Sequence, residues 1–218
     1  MAETPDINIL VPLYNEKEVF DELILRLNRI IESSIYQIEV ILVDDGSSDG
    51  TKERMKALSL SNKNFQSIFL SRNFGQHIAI TAGLKQITAT QVIMIMDGDL
   101  QDPPEMLDDF FEKYKNGYDV VYAIRNNRKE NLLLKLAYST FYYIMKKFSY
   151  IHLPLDSGDF SLISRRVADH INSMPEEGRF FRGMRAWVGF KQIGIPYNRD
   201  KRNEGSSKYS LKKLVSLA

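Results

Sequence analysis

The sequence predicts an α/β domain: a mostly parallel, Rossmann-like sheet with helices on both faces. Three observations predict it. Short apolar runs alternate repeatedly with amphipathic segments, starting at the N-terminus. The runs are rich in Val, Ile, Leu and Met, as strands covered on both faces are. Acidic or polar clusters follow three of them, at the edge where an open parallel sheet gathers its loops. With 218 residues, 44% hydrophobic and 26% charged, the chain is long enough to bury one substantial core.

The elements follow in order. "INILVPLY" reads as a buried strand, and Val19, Phe20, Leu23, Ile24, Leu27, Ile30 and Ile31 then recur at helical spacing. Asn15 and Glu18 resemble a capping pair that starts this helix. A second unit runs from "IEVILVDDG" into "SDGTKERMKALS", a third from "QSIFLS" into "GQHIAITAGLKQI", and a fourth from "QVIMIMDGD" into "PPEMLDDFFEKYKNG". Pro103 or Pro104 suits the first turn of that last helix, where no N–H donor is needed. "YDVVYAIR" is a fifth strand. Beyond it lie the long aromatic stretch "ENLLLKLAYSTFYYIMKKFSYIH", "DSGDF" followed by a short strand, the helices "RRVADHINSM" and "RFFRGMRAWVG", the strand "KQIGIPY", a polar loop and the basic "KYSLKKLVSLA".

Bulk properties exclude several classes. Lys plus Arg number 29 against 28 Asp plus Glu, so a net charge of +1 offers no global field for nucleic acid. The absence of cysteine rules out disulfides and thiolate metal sites. The N-terminus does not read as a secretory signal, and no run reaches the ~20 apolar residues of a membrane span. Neither the P-loop spacing nor a Gly-x-Gly-x-x-Gly turn after the first strand is present, which argues against an NTPase or a dinucleotide dehydrogenase.

The chemistry concentrates in "VPLYNE" (11–16), "VDDGSSDG" (43–50) and "MDGDLQ" (96–101). Asp97, Asp99 and Asp102 crowd three carboxylates into six positions, an arrangement that asks for a cation, a solvated bend, or both. If the strand continues through Gly98, Asp97 and Asp99 share one side. Hard oxygen donors on one side suit Mg²⁺ or Mn²⁺, with Gln101 offering a neutral oxygen nearby. An ion held there beside a diphosphate would ease its departure, which suggests transfer from a nucleotide.

Together with "SRNFGQHIAITAGL", "DSGDF" and "RFFRGMRAWVGF", these motifs resemble the family 2 GT-A glycosyltransferases, and within them the polyprenyl-phosphate branch of bactoprenol glucosyltransferases and dolichol-phosphate mannose synthases. The resemblance runs in order through essentially the whole chain. It implies a GT-A fold over residues 1–209 and a nucleotide pocket with Pro12, Tyr14, Glu16, Val43, Asp45, Asp97 and Arg202. It further implies Asp99 and Gln101 as ligands of Mg²⁺ or Mn²⁺, Asp97 as the carboxylate orienting the sugar diphosphate, and Arg125 near the phosphates. Asp159 is the candidate base or orienting carboxylate on the acceptor side, with Asp156 close by.

The implied reaction is inverting transfer of one hexose from a nucleotide sugar, UDP-glucose first among them, to a polyprenyl (undecaprenyl) phosphate. Such an acceptor, already dianionic near neutral pH, needs cations more than a base. Lys146, Lys147, Arg165, Arg166, Arg179, Arg182, Arg199 and Arg202 supply them. Relatives commonly carry Arg where this chain has Ser161, so a neighbour such as Arg165 is expected to replace it. Residues 210–218 are expected to begin an amphipathic juxtamembrane helix, followed by a missing transmembrane portion, on the cytoplasmic face of the plasma (inner) membrane. The partners expected are thus the donor, the lipid phosphate and the membrane surface, with homo-oligomerisation left open. Rival readings are transfer to a sugar or glycan hydroxyl, and a non-catalytic nucleotide-sugar-binding membrane module.

Overall fold

The computed structural model describes residues 4–125 and 157–199. The aromatic stretch after the fifth strand, Asp156, Arg202 and the basic C-terminal segment lie outside the described residues.

The chain forms β1 (Ile7–Leu13), α1 (Phe20–Ser33), β2 (Ile38–Asp44), α2 (Thr51–Ser61), β3 (Phe65–Phe69), α3 (Gln76–Leu84), β4 (Val92–Ile95), a 3₁₀ turn at Pro104–Met106 continuing into α4 (Leu107–Lys115), and β5 (Val120–Arg125). After the undescribed stretch come β6 (Ser157–Ser164), α5 (Arg165–Ser173), α6 (Phe181–Trp187) and β7 (Gln192–Tyr197). The seven strands make one sheet in the order β3-β2-β1-β4-β6-β5-β7. Only β6 runs antiparallel to its neighbours, pairing Ile95 with Ser161 on one side and Tyr122 with Ser161 on the other.

Side-chain alternation explains why the strand sequences are apolar without a break. Ile7, Ile9, Val11 and Leu13 of β1 pack with Val40 and Leu42 of β2 and Met94 of β4 beneath α1, α2 and α4. Leu10, Ile41, Val43, Ile93 and Ile95 point the other way, against Ala79, Ile80 and Leu84 of α3, Val167 of α5 and Phe181 of α6. The central strands β1, β2 and β4 therefore bury both faces, while the edge strands β3 and β7 are only partly covered.

Two local readings are corrected. Asn15 does not cap α1, which starts five residues later at Phe20 without a side-chain cap. Asn15 instead adopts φ 53° and joins two loops: its N–H donates to Ser47 Oγ (2.9 Å) and its Oδ1 accepts from Ser48 N (2.8 Å). "DSGDF" does not precede a strand, because its last four residues are the start of β6.

At the opposite edge Asn8, fully buried, accepts from Thr88 N (2.9 Å) and Ala89 N (2.8 Å) just ahead of β4, while its amide donates to Glu39 Oε2 (3.0 Å). Replacing it orphans two buried N–H groups. Asn8→Ala is expected to destabilise the fold by about 2–4 kcal/mol, read as a lower urea midpoint at unchanged slope.

Candidate active site

Parallel strands β1, β2, β4, β5 and β7 end at one edge of the sheet, and β6 begins there because it runs the other way. The edge consequently collects Tyr14–Glu16, Asp45–Gly50, Met96–Gln101, Arg125, Asp159 and Arg199. It also receives the start of α3, with Gln76 and His77.

The first two loops form a clasped wall. Glu16 N donates to Thr51 Oγ1 (3.0 Å), Lys17 N to Asp49 Oδ2 (3.0 Å), and Ser47 N to Asp44 Oδ1 (3.1 Å). Asp45, buried, accepts from Phe74 N (2.7 Å) and Gly75 N (2.9 Å), so its carboxylate anchors the loop leading into α3. Gly46, at φ 75°, lies so near the Arg72 backbone that a Cβ would come within 2.5 Å of the Arg72 carbonyl carbon. Pro12, Tyr14 and Glu16 line this wall half-buried. The Val43 side chain does not: it is fully buried against α3 on the core side, leaving only its main chain toward the loops.

β4 stops at Ile95, so Asp97 and Asp99 do not alternate along an extended strand as expected. The chain instead bends, with Leu100 at φ 60°, and Gly98 packs so tightly that a Cβ would meet Leu13 Cδ2 at 2.2 Å. The carboxylates still converge, because Arg199 beyond β7 reaches all three. Its Nη2 lies 3.7 Å from Asp97 Oδ2 and 3.8 Å from Asp99 Oδ2, and its Nε lies 3.6 Å from Asp102 Oδ1. Tyr197 donates to Asp102 Oδ1 (2.6 Å), and Gln101 N donates to Asp99 Oδ1 (3.1 Å).

Arg199, even with Arg125 nearby, does not offset the burial and mutual repulsion of three carboxylates. Burial first, then repulsion from Asp102, Asp159 and Asp99, raises the Asp97 carboxyl to about 8 against the pull of Arg199. Burial likewise raises Asp102, opposed by Tyr197, Arg199 and Arg125. Burial pulls Arg125 down, but its bond to Tyr197 and the charges of Asp102 and Asp97 leave it above the ordinary value. This negative cluster, rich in hard oxygen donors, fits a divalent cation. Among the described residues no group of three or more His, Asp or Glu is arranged to hold one unaided, so the shell would need other oxygens such as the Gln101 amide.

The other half of the site is cationic. Gln76 Nε2 bridges the halves, donating to Asp97 Oδ1 (2.6 Å) and Asp159 Oδ2 (3.2 Å). Around Asp159 stand Arg182, with Nε 3.2 Å from Oδ1, and His77, with Nδ1 3.9 Å from Oδ2. Burial lowers His77, Asp159 opposes this, and Arg182 adds to it. Sequence reasoning missed Gln76, His77, Tyr197 and Arg185. The first two had a signal in opening a helix at the ligand-bearing edge.

Residues 8–171 match the model of the family described as "Glycosyl transferase family 2". The chain belongs to that family. It is 41% identical over 219 residues to the uncharacterized glycosyltransferase YkcC of Bacillus subtilis (strain 168), covering 100% of this chain and 68% of that one. Over 213 residues it is 35% identical to the prophage bactoprenol glucosyl transferase homolog of Escherichia coli (strain K12), covering 97% and 69%. This glycosyltransferase domain thus spans about two thirds of these relatives' length. Its fold is GT-A. Glucosyl-3-phosphoglycerate synthase from Mycobacterium tuberculosis, solved with Mn²⁺, UDP-glucose and phosphoglyceric acid, superposes with a TM-score of 0.62 at 17% identity, covering 98% of this chain and 76% of that one.

The raised Asp97 gives a pH test with a definite sign. The fold holds that proton up to about pH 8, whereas the unfolded chain releases it near its ordinary value of 3.8. Between those values the folded state binds more protons, so stability falls as pH rises. With 28% of the side chain exposed, water screens part of the effect. Asp97→Asn should therefore melt higher than the unsubstituted protein at pH 8 in EDTA, with the gap narrowing as pH falls and closing only below the ordinary value of 3.8, where Asp97 is neutral in both the folded and the unfolded state. A gap independent of pH would refute the shift.

Proposed function

We propose that this domain transfers one hexose, glucose in the first instance, from a UDP-linked donor to a polyprenyl phosphate, with inversion and with Mg²⁺ or Mn²⁺. The observation that carries the reading is the division of one sheet edge into a carboxylate-rich half and an arginine-rich half, joined through Gln76. The name of the bactoprenol glucosyl transferase homolog supports the sugar and the lipid class. The ligands of the mycobacterial synthase, Mn²⁺ and UDP-glucose, support the donor and the ion.

Asp99 and Gln101 would hold the cation, and Asp97 would orient the sugar diphosphate. When bound, the ion supplies positive charge to the departing diphosphate. Arg125 and Arg199 add cations at the same edge. The uridine would rest against the clasped wall of Pro12, Tyr14 and Glu16, with Asp45 fixing the loop behind it. A phosphate oxygen of the acceptor then bonds to the anomeric carbon as the bond from that carbon to the diphosphate oxygen breaks. No proton has to be removed, because a phosphate monoester with a second pKa of ~6 is already mostly dianionic.

A lipid acceptor places the reaction at a membrane, and we assign it to the cytoplasmic face. Among the described residues no helix is long and apolar enough to cross a bilayer. The amphipathic reading of residues 210–218 and the role of Arg202 stand as parts of this proposal.

Asp99→Asn should lower transfer with Mg²⁺ or Mn²⁺ by about 10²-fold or more, the order expected when one fixed electrostatic partner is removed. Its melting temperature should stay within a few degrees of the original, since Asp99 lies half-buried on a loop. Normal turnover in this variant would remove the metal role.

A further inference from the structure

β6 runs against its neighbours, so it brings Asp159 to the active edge and carries the chain away to Arg165 at the far one. Arg165, expected to serve in place of an arginine at position 161, there pairs with Asp169 (2.8 Å) and donates to Ala89 O (2.9 Å). The acceptor side of the edge is therefore served from other elements. Among the described residues, Gln76 joins the two halves directly.

Gln76 is the first residue of α3, and its backbone is fixed from both directions. The turn before it is held by Asp45 through Phe74 N (2.7 Å) and Gly75 N (2.9 Å), with Gly75 at φ 98°. The helix after it is seated in the core by Ala79, Ile80 and Leu84, beside Leu10, Ile41 and Val43. From this start the amide nitrogen donates to Asp97 Oδ1 (2.6 Å) and Asp159 Oδ2 (3.2 Å). The other oxygens face outward along the two halves: Asp97 Oδ2 lies 3.7 Å from Arg199 Nη2, and Asp159 Oδ1 lies 3.2 Å from Arg182 Nε. Each carboxylate thus has one oxygen on a shared amide and one turned toward its own half.

The residue type suits this place. Asp97 and Asp159 repel each other, which is one of the causes that raise the Asp97 carboxyl. A primary amide carries two N–H donors on one nitrogen and no charge, so it ties two such groups together without cancelling either. Lysine would neutralise one of them, glutamate would add a third like charge, and asparagine, a methylene shorter, would not span both.

We propose that Gln76 is the positioning residue that fixes the donor-side and acceptor-side carboxylates relative to each other, so that the sugar and the incoming phosphate meet in line. The assignment rests on the donor and acceptor reading above. Neither substrate needs Gln76 in order to bind, but their mutual alignment does. Misplacing reacting groups by about 1 Å can cost about 10²-fold in rate.

The test uses the full chain with undecaprenyl phosphate in detergent micelles, UDP-glucose and Mn²⁺. Gln76→Met keeps the length and helix preference of the side chain and removes both donations. It should lower kcat by about 10²-fold, while KM for each substrate stays within about threefold and the melting temperature within a few degrees. Gln76→Asn keeps the amide without its reach, and should lower kcat by about tenfold or more in the same pattern. An unchanged kcat in Gln76→Met overturns this inference alone. So does a loss carried by KM for one substrate, which would make Gln76 a binding residue of that half. Should Gln76→Met melt far lower, Gln76→Asn decides by the same two readings. Equal transfer by the unsubstituted protein to polyprenol lacking the phosphate overturns the phosphate-acceptor reading, and the assignment with it.

Discussion

Three aspartates gathered around Arg199, with Arg125 close by, are the interaction on which the rest of the site depends. Asp97, Asp99 and Asp102 repel each other, and Arg199 approaches each at 3.6–3.8 Å, too far to bind any of them tightly. Left to relax, such a cluster would turn outward into water. It is prevented from doing so by the packing beneath it. Gly98 is pressed against Leu13, Leu100 is turned into the core at φ 60°, and Asp102 is held by Tyr197 from the end of β7. The three carboxyl groups are thereby fixed in place before any ligand arrives. A site with its charge already positioned loses little to reorganisation when a cation and a diphosphate come in.

The surrounding loops extend the same rigidity. Asn15, Asp45 and Asp49, in the loops after β1 and β2, each accept from backbone N–H groups of another loop, and Asp44 closes its own turn by accepting from Ser47 N. Loops are ordinarily the mobile part of a fold, but cross-bonding of this density ties them to the sheet. Of these four, Asp45 illustrates the compromise best. Its two oxygens hold Phe74 N and Gly75 N, so the turn that delivers Gln76 and His77 to the site is set by a residue of the clasped wall.

Much of this was legible in the chain. The central parallel strands bury two faces, so their sequences are near-continuous apolar runs that stand out against the amphipathic helices. The acidic ends of β2 and β4 stood out for the same reason. The place of β6 was not legible. Its antiparallel insertion between β4 and β5 is a matter of strand order, which periodicity does not encode, and it decides that Asp159 is at the active edge while Arg165 is at the opposite one. The Asn15–Glu18 spacing matched a helix cap, yet the loop-to-loop bonds of Asn15 override the local preference. Gln76 and Arg185 lie inside motifs that carry the resemblance, but nothing in the sequence singles them out, since their surroundings come from separate elements brought together by the fold.

The arginine half of the edge is not explained by stability. Charges taken out of water are rarely recovered in full by pairing, and apolar packing of similar volume would hold α6 to β6 at least as well. Burial lowers even the Arg185 guanidinium to about 10, a measure of how poorly that position suits a cation on its own. On the proposed reading a donor diphosphate with its metal would sit at the carboxylate half and an acceptor phosphate at the arginine half, and Gln76, touching Asp97 and Asp159 together, links the two.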